Sequence, residues 1–514
     1  MGIASIIKKP CYERVIAVVL GLIFAYIMLI QTRTIWSGYH FLDDHELVRI
    51  EYSLKHGNSL WDQTWTQISN DLKTRYRPLY WVERTVGTAL MGSDLYAWNL
   101  YKAVMAVATF YLLYMTGYYL RQKWHISALF AAVIMTGPQV TPWYRSANQE
   151  NTGLLLCAVV LYLLARQYNR QKYRHMGYNM LIVASAALCS LEKESFVLML
   201  PAFGAMKYWL EYTGKGMQTT EPEKRKELWL DCLKSNLITY TLLAVIFLFD
   251  LYMLLFQVGV DKVSYAGFQK GTPLREYING IRYSLTMFMT NYVWFAIMMA
   301  LILVVCYQVV DKKQIKYDIG MGLIGCFIMG IQLLAHAKSM MWERYIIPFI
   351  IGYAMVFVLM GYHMLERDVL RRRVYTGVLV VMVLMYTRTA RGMALSYTQD
   401  GELINGYLNY ILENTTENTH IIGAYADAEL NVATASWLET HGRKKEYSYD
   451  WNTGGLQDSI HLGEVNHETT DWASAEAVIC YSSDADKIVG MMGLTGTDPY
   501  LRQQYGKYAV IIRQ

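Results

Sequence analysis

The sequence predicts a mainly α, polytopic membrane helical bundle of about eleven transmembrane helices, followed by a small C-terminal α/β domain outside the membrane. Three observations predict it. Of 514 residues, 54% are hydrophobic and only 17% charged, where globular domains carry roughly a quarter charged. Charge-poor apolar stretches recur through the first three quarters of the chain. From about Ala394 the composition turns to Asn, Thr, Asp, Glu and Gly, and no later stretch is long enough to cross a bilayer.

At the N-terminus, Lys8 and Lys9 precede an apolar run from Val15 to Ile30. That run is long for a signal core and lacks a small-residue cleavage pattern after it, so it reads as an uncleaved first helix. Apolar stretches then place spans at approximately 15–36, 96–120, 126–143, 151–165, 176–191, 195–212, 235–258, 283–310, 318–336, 345–365 and 374–390. An odd number of spans puts the two ends of the chain on opposite faces. Basic residues gather in alternate connections, at Arg166–Arg174, Lys224-Arg225-Lys226, Lys312-Lys313 and Arg371-Arg372-Arg373. By the positive-inside rule these face the cytoplasm, which gives a multi-pass cell-membrane protein with a cytoplasmic N-terminus and an extracytoplasmic C-terminal domain. The same distribution, in short runs between apolar spans, excludes nucleic acid as the partner.

Residues 1–393 therefore form the membrane domain, with a long first outer loop over about 37–95, and residues 394–514 form the extracytoplasmic domain. In the first loop, Asp44 to His56 and Leu60 to Leu72 mix polar and apolar residues as helices lying on an interface do. Trp36, Tyr39, Trp61, Trp65, Tyr80, Trp81, Tyr96 and Trp98 supply an aromatic belt. In the C-terminal domain His420–Tyr425, Ala477–Tyr481 and Tyr505–Ile512 read as strands and Ala428–Thr440 as a helix. No GxGxxG or phosphate loop occurs there, so it reads as a packing or partner module. The seven cysteines include four inside apolar spans and no CxxC pair, against a disulfide framework or zinc site.

Candidate site residues come from charges placed where they are costly. Phe41-Leu42-Asp43-Asp44-His45-Glu46 lies just beyond the first span, and acids so near hydrocarbon point to function. Asp43 and Asp44 are candidate catalytic carboxylates, with Asp43 favoured as base. They also suit the start of a helix near His45, where acids cap or oppose the dipole, and His45 and Glu46 read as helix-surface residues. Arg75 and Arg77, before Pro78, have the forked donors that grip phosphate or snorkel to lipid headgroups. Glu192-Lys193-Glu194 fills a very short turn between apolar helices, where Lys193 suits a phosphate and Glu192 or Glu194 would orient it or contact sugar. Arg344, in Trp342-Glu343-Arg344-Tyr345, opens the tenth span facing headgroup or substrate phosphate. Glu150 reads as an acid favouring a helix N-terminus, and Asp250 as a buried acid without a sequence partner. Carboxylates and cations on one face suit a reaction in which a carboxylate takes a proton from an acceptor hydroxyl while cations stabilise a departing phosphate. An outer-face transferase has no cytosolic nucleotide sugar at hand, so its donor is a sugar on a lipid phosphate. Asp43 and Asp44 would also be the ligands of a divalent cation (Mg or Mn), although two adjacent acids alone do not make such a site. The competing reading is a membrane transporter or lipid flippase, for which internal repeats and broken midplane spans are the signature.

Four stretches carry a family resemblance: FLDD at 41–44, YRPLYWVERTVGTALMGSDLYAWNLYKAVM at 76–105, LEKES at 191–195 and ERYIIP at 343–348. The membrane part resembles the GT-C superfamily of polytopic glycosyltransferases, in particular the branch of protein O-mannosyltransferases and their tetratricopeptide-bearing relatives. The resemblance implies a bacterial-type, inverting hexosyltransferase. It would use a polyprenyl-phosphate sugar donor held among membrane lipids, an envelope glycan or protein as acceptor, and Asp43 as general base beside Asp44. The pair here is Asp-Asp where protein mannosyltransferases commonly have Asp-Glu, and neither tetratricopeptide repeats nor an oligosaccharyltransferase WWDYG motif is present.

Overall fold

The computed structural model describes residues 3–145, 148–170, 173–216, 222–259, 271–291, 316–338, 343–365, 369–443, 446–449, 456–458, 472–494 and 498–514. Six of the described helices are long and apolar enough to cross a membrane: Cys11–Ile30, Leu95–Arg121, Glu150–Asn169, Leu237–Gly259, Glu343–Met364 and Val369–Glu413. Trp124–Met135, Met176–Ser190 and Gly320–Ala335 are shorter apolar helices beside them. The chain is a membrane protein, built from the one open-ended element that satisfies its own backbone in lipid.

In chain order, α1 (Ile3–Ala25) runs on through a π-helical turn to Ile30. The first loop then folds into three helices, α2 (Asp44–Lys55), α3 (Leu60–Asp71) and α4 (Pro78–Met91). Ser59 caps α3 by accepting from the Asp62 amide, and Pro78 occupies the first turn of α4, where its missing N–H costs nothing. The bundle continues with α5 (Leu95–Arg121), α6 (Trp124–Met135), the single turn α7 (Thr141–Tyr144), α8 (Glu150–Asn169), α9 (Met176–Ser190), the short α10 (Glu194–Val197) and α11 (Met199–Gly216). It ends with α12 (Pro222–Ser235), α13 (Leu237–Tyr252), α14 (Leu274–Asn291), α15 (Lys316–Ala335), α16 (Ile347–Ala354), α17 (Gly361–Met364) and α18 (Val369–Glu413).

The helix expected over 15–36 ends at Ile30, the span expected over 195–212 is split into α10 and α11, and three further spans differ. The span at 126–143 is broken after Met135: Gly137 takes a positive φ of 103° and Pro138, which has no amide hydrogen to give, starts a new turn leading into α7. The span at 283–310 begins earlier, with α14 at Leu274, and most of it lies outside the described residues. The last span, 374–390, is part of a 45-residue helix, so the change of composition near Ala394 falls within one continuous element that joins the membrane part to the C-terminal part.

The C-terminal part is a six-stranded sheet in the order β3-β2-β1-β4-β6-β5. β1 (Ile421–Gly423) runs parallel to β2 (Glu446–Tyr449) and to β4 (Ala477–Tyr481), whereas β3 (Leu456–Asp458), β5 (Tyr500–Tyr505) and β6 (Tyr508–Arg513) pair antiparallel. α19 (Ala428–Thr440) and β4 match the sequence reading, and α20 (Ala485–Met491) packs behind. The single strand expected over Tyr505–Ile512 is a hairpin, because Gly506 with φ 58° turns the chain between β5 and β6.

The C-terminal part holds the first loop. Tyr39, Phe41 and Val48 are buried in one cluster with Tyr407, Leu408, Tyr425, Ala433 and Tyr508. The Phe41 ring meets Tyr508 edge-on at 5.2 Å, a geometry aromatic pairs favour. The Tyr39 hydroxyl donates to the Ala433 carbonyl at 2.8 Å. Asn405 on α18 straps the same segment, donating to the Ser37 and Tyr39 carbonyls and accepting from the Tyr39 amide, all at 3.1 Å.

Candidate active site

With Phe41 anchored in this way, the two acids beyond it are fixed in place. Asp43 sits at the entry of α2 with φ 65° and ψ −15°, a left-handed conformation that asparagine and aspartate tolerate better than other non-glycine residues. Its backbone is bonded to Glu429 at the start of α19. Its side chain caps nothing and is 29% exposed. Asp44 is fully buried and accepts from the His40 amide at 3.0 Å. The two acids therefore diverge, one turned toward accessible space and the other inward. Burial pushes Asp44 up to about 7, against the His40 amide, Arg84 and Lys102, which favour its charge. Burial also raises Asp43, helped by nearby Glu46 and opposed by Arg84, Arg344 and Arg77. His40 stacks flat on Tyr397 at 3.6 Å, and burial lowers it to about 3.

Later parts of the chain converge on Asp43. Arg344, 26% exposed at the head of its helix, lies 3.8 Å from Asp43 Oδ2 and 3.8 Å from Glu150 Oε1. Its Nη1 donates to Asn148 at 3.0 Å and its Nη2 to the Tyr345 hydroxyl at 3.3 Å. Glu150 in turn accepts from buried Lys193, whose ammonium stands 3.8 Å over the Tyr345 ring. Asp43, Arg344, Glu150 and Lys193 thus form one continuous run of alternating charge. Placed in sequence only as a helix-start acid, Glu150 is its centre.

The rest of the turn 192–194 divides. Glu194 accepts from the Tyr76 amide at 3.1 Å, tying the turn to the first loop. Glu192 is completely buried beside Glu83 of α4, and burial, then Glu83, raises it well above the usual carboxylate range. Arg77 is buried and engaged: Nε and Nη2 form a fork on Asp71 at 2.9 and 3.1 Å, Nη1 donates to Gln149 at 3.1 Å, and the guanidinium lies over Tyr80 at 4.4 Å. Arg75 is half-buried, its amide donating to the Asp71 carbonyl at 2.7 Å. Asp250 finds the partner the sequence did not reveal, the Tyr76 hydroxyl at 3.3 Å.

His45 and Glu46 correct the surface reading. His45 is 8% exposed, and burial lowers it to about 4. Glu46 accepts from the Tyr80 hydroxyl at 2.5 Å and lies 3.6 Å from Arg84. Burial pulls its carboxyl up, but Arg84 and Arg77 outweigh it and hold the group below the usual range. The signal that could have found Arg84 was its position seven residues after Arg77, which immediately precedes α4, and both guanidinium groups lie over Tyr80.

Among the described residues no three His, Cys, Asp or Glu side chains gather as a metal site. Asp43 and Asp44 point to different surroundings and do not present a pair of oxygen ligands to one cation. What the arrangement offers is a partly exposed carboxylate, a partly exposed guanidinium beside it, and buried charges that fix both.

The fold and site define a polytopic membrane protein with an ion cluster at one end of its bundle, covered by a C-terminal sheet domain. No family model matches the chain, and no curated protein matches it in sequence. Among solved structures it is similar to ArnT from Cupriavidus metallidurans bound to undecaprenyl phosphate, at 11% identity and a TM-score of 0.49, over 98% of this chain and 97% of that one. At that similarity, the chemistry of this chain rests on its own geometry.

Proposed function

We propose that the chain is an integral-membrane glycosyltransferase that moves a sugar from a polyprenyl-phosphate donor to an acceptor hydroxyl on the extracytoplasmic face, with inversion and Asp43 as general base. The observation that carries the reading is the run Asp43–Arg344–Glu150–Lys193, drawn from four separate parts of the chain. A partly exposed carboxylate raised by burial is suited to accept the hydroxyl proton as the acceptor oxygen attacks the anomeric carbon. As the bond from that carbon to the phosphate oxygen breaks, Arg344 receives the growing phosphate charge, and Lys193 supports it from behind Glu150. Arg77, occupied by Asp71, is a positioning residue for α4, as Glu194 is for the first loop and Glu192 for its contact with Glu83. A mannosyl or other hexosyl donor and an envelope glycan or protein acceptor are the finer expectations.

The test is transfer of label from polyprenyl-phosphate sugars by the purified full chain. Asp43→Asn should lower turnover by roughly a hundredfold or more with the melting temperature kept. Undiminished transfer would remove Asp43 as base. Flipping of the lipid in proteoliposomes with no covalent product would replace the transferase by the flippase.

A further inference from the structure

Three helices outside the ion cluster turn polar faces toward a common cleft of about 520 Å³, within the roughly 300–1,000 Å³ of small-molecule sites. α3 contributes Gln63, Thr66, Gln67 and Asn70, positions i, i+3, i+4 and i+7 on one helical face. α2 contributes Val48, Arg49, Tyr52, Ser53 and His56, and α19 of the C-terminal part contributes Ser436, Glu439 and Thr440. An amphipathic helix in a first loop needs one apolar face for packing, and a run of amides and hydroxyls turned toward another helix calls for a polar occupant. Two ends of the lining are already organised: Ser53 donates to Gln63 at 2.6 Å and accepts from Asn58 at 2.6 Å. Tyr52 is 40% exposed, and His56 stacks on its ring at 3.8 Å, so a flat aromatic surface stands beside the amides.

We propose that this cleft binds the acceptor, and that the acceptor is a neutral, hydroxyl-rich glycan. The inference rests on the glycosyltransferase reading and names its second substrate. Amides and hydroxyls that can both donate and accept match the paired hydroxyls of a sugar ring, and an exposed aromatic matches its apolar face. An anionic acceptor would call for a cation-rich lining, but the lining holds one arginine, Arg49, and one carboxylate, Glu439. The cleft and the acid pair share one helix: its lining on α2 begins with Val48, one turn beyond Asp44. Arg49 is six residues beyond Asp43, about 9 Å along the helix. A glycan lying along α2 from Tyr52 toward the N-terminal end of the helix would bring its end to Asp43.

The experiment is saturation-transfer NMR of the detergent-solubilised full chain with a panel of neutral di- to hexasaccharides, alongside transfer kinetics with the best binder. Saturation transfer to at least one oligosaccharide is expected. It should be lost at least tenfold in the double variant Gln67→Ala/Asn70→Ala, whose side chains are solvent-accessible, and retained in Asp43→Asn. In turnover, the double variant should raise the acceptor KM at least tenfold while moving the donor KM less than twofold. No saturation transfer to any oligosaccharide, or equal binding by the double variant, would overturn the cleft. If the chain transfers sugar to another acceptor with the double variant unaffected, the cleft assignment fails and the transferase reading stands. Glycan binding by a chain that never turns over donor leaves the cleft and removes the transferase reading.

Discussion

Two buried ion networks sit at the two ends of α8, and they are built differently. At its start, Glu150 joins Arg344 and Lys193 on the way to Asp43. Near its end, Gln167 joins a second network. There Lys207 donates to Gln167 at 2.9 Å, to Asn179 at 3.0 Å and to Glu211 at 3.2 Å, and Asn236 closes the ring between Glu211 and Asn179. In the second network none of these five side chains keeps a buried polar atom without a partner. In the first, Glu150 Oε2 does, and so does Nδ2 of Asn148, the residue that accepts from Arg344. Buried charges in a membrane protein are costly in either place. A saturated network recovers that cost within the fold, and on the proposed reading the capacity left over in the first network is met by substrate.

The comparison is broken most severely by substitutions at the first network that spare the fold. Arg344→Ala is expected to lower transfer by roughly a hundredfold or more, measured as initial rate, with a melting temperature within a few degrees of the parent. Lys207→Met should do the reverse. It leaves Glu211 buried without its cation and destabilises by about 3–5 kcal/mol, read by thermal or denaturant unfolding in detergent. Equal stability losses for the two variants would erase the distinction. Phe41→Ala probes the link between the C-terminal part and the acids: removing a buried ring costs about 3–5 kcal/mol, and protease nicking of the first loop should increase along with lost transfer. By the same logic, deletion of residues 395–514 is expected to abolish transfer, measured as initial rate.

The smallest effect concerns pH. Asp44 is held up to about 7 by burial, above its unfolded value near 4. Between these values the folded chain holds a proton that the unfolded chain has released. Stability from this group is therefore fully present below about 4 and lost as pH rises to about 7. Asp44→Asn should flatten the fall in melting temperature between pH 5 and pH 7. A slope unchanged by that variant would contradict the assignment.

Much of the membrane part was legible because it depends on local pattern. α8, α9 and α15 lie close to their expected spans, and Ala428–Thr440 and Ala477–Tyr481 need only periodicity and a run of buried apolar residues. Features that depend on long-range pairing were not. β2 and β3 are short strands at one side of the sheet, β3 its edge, without apolar alternation, and Phe41 reads as an ordinary apolar residue until the C-terminal sheet encloses it. Gly401 carries no sequence signal either, yet a Cβ there would collide with the Ser37 carbonyl, so the strapped segment lies against α18 only because this residue is glycine. Within the site, Asp43, Lys193 and Arg344 were singled out because charge beside hydrocarbon is conspicuous. Glu150 was discounted because one acid at a helix start has an ordinary explanation, and only the fold shows two cations meeting it.

The most direct measurement of the central claim is the affinity of a polyprenyl phosphate, without sugar, for the purified chain and two variants. Binding weakened at least tenfold in Arg344→Gln and less than twofold in folded Lys207→Met would place the lipid phosphate at the unsaturated network. Equal affinities in the parent, Arg344→Gln and Lys207→Met would contradict it.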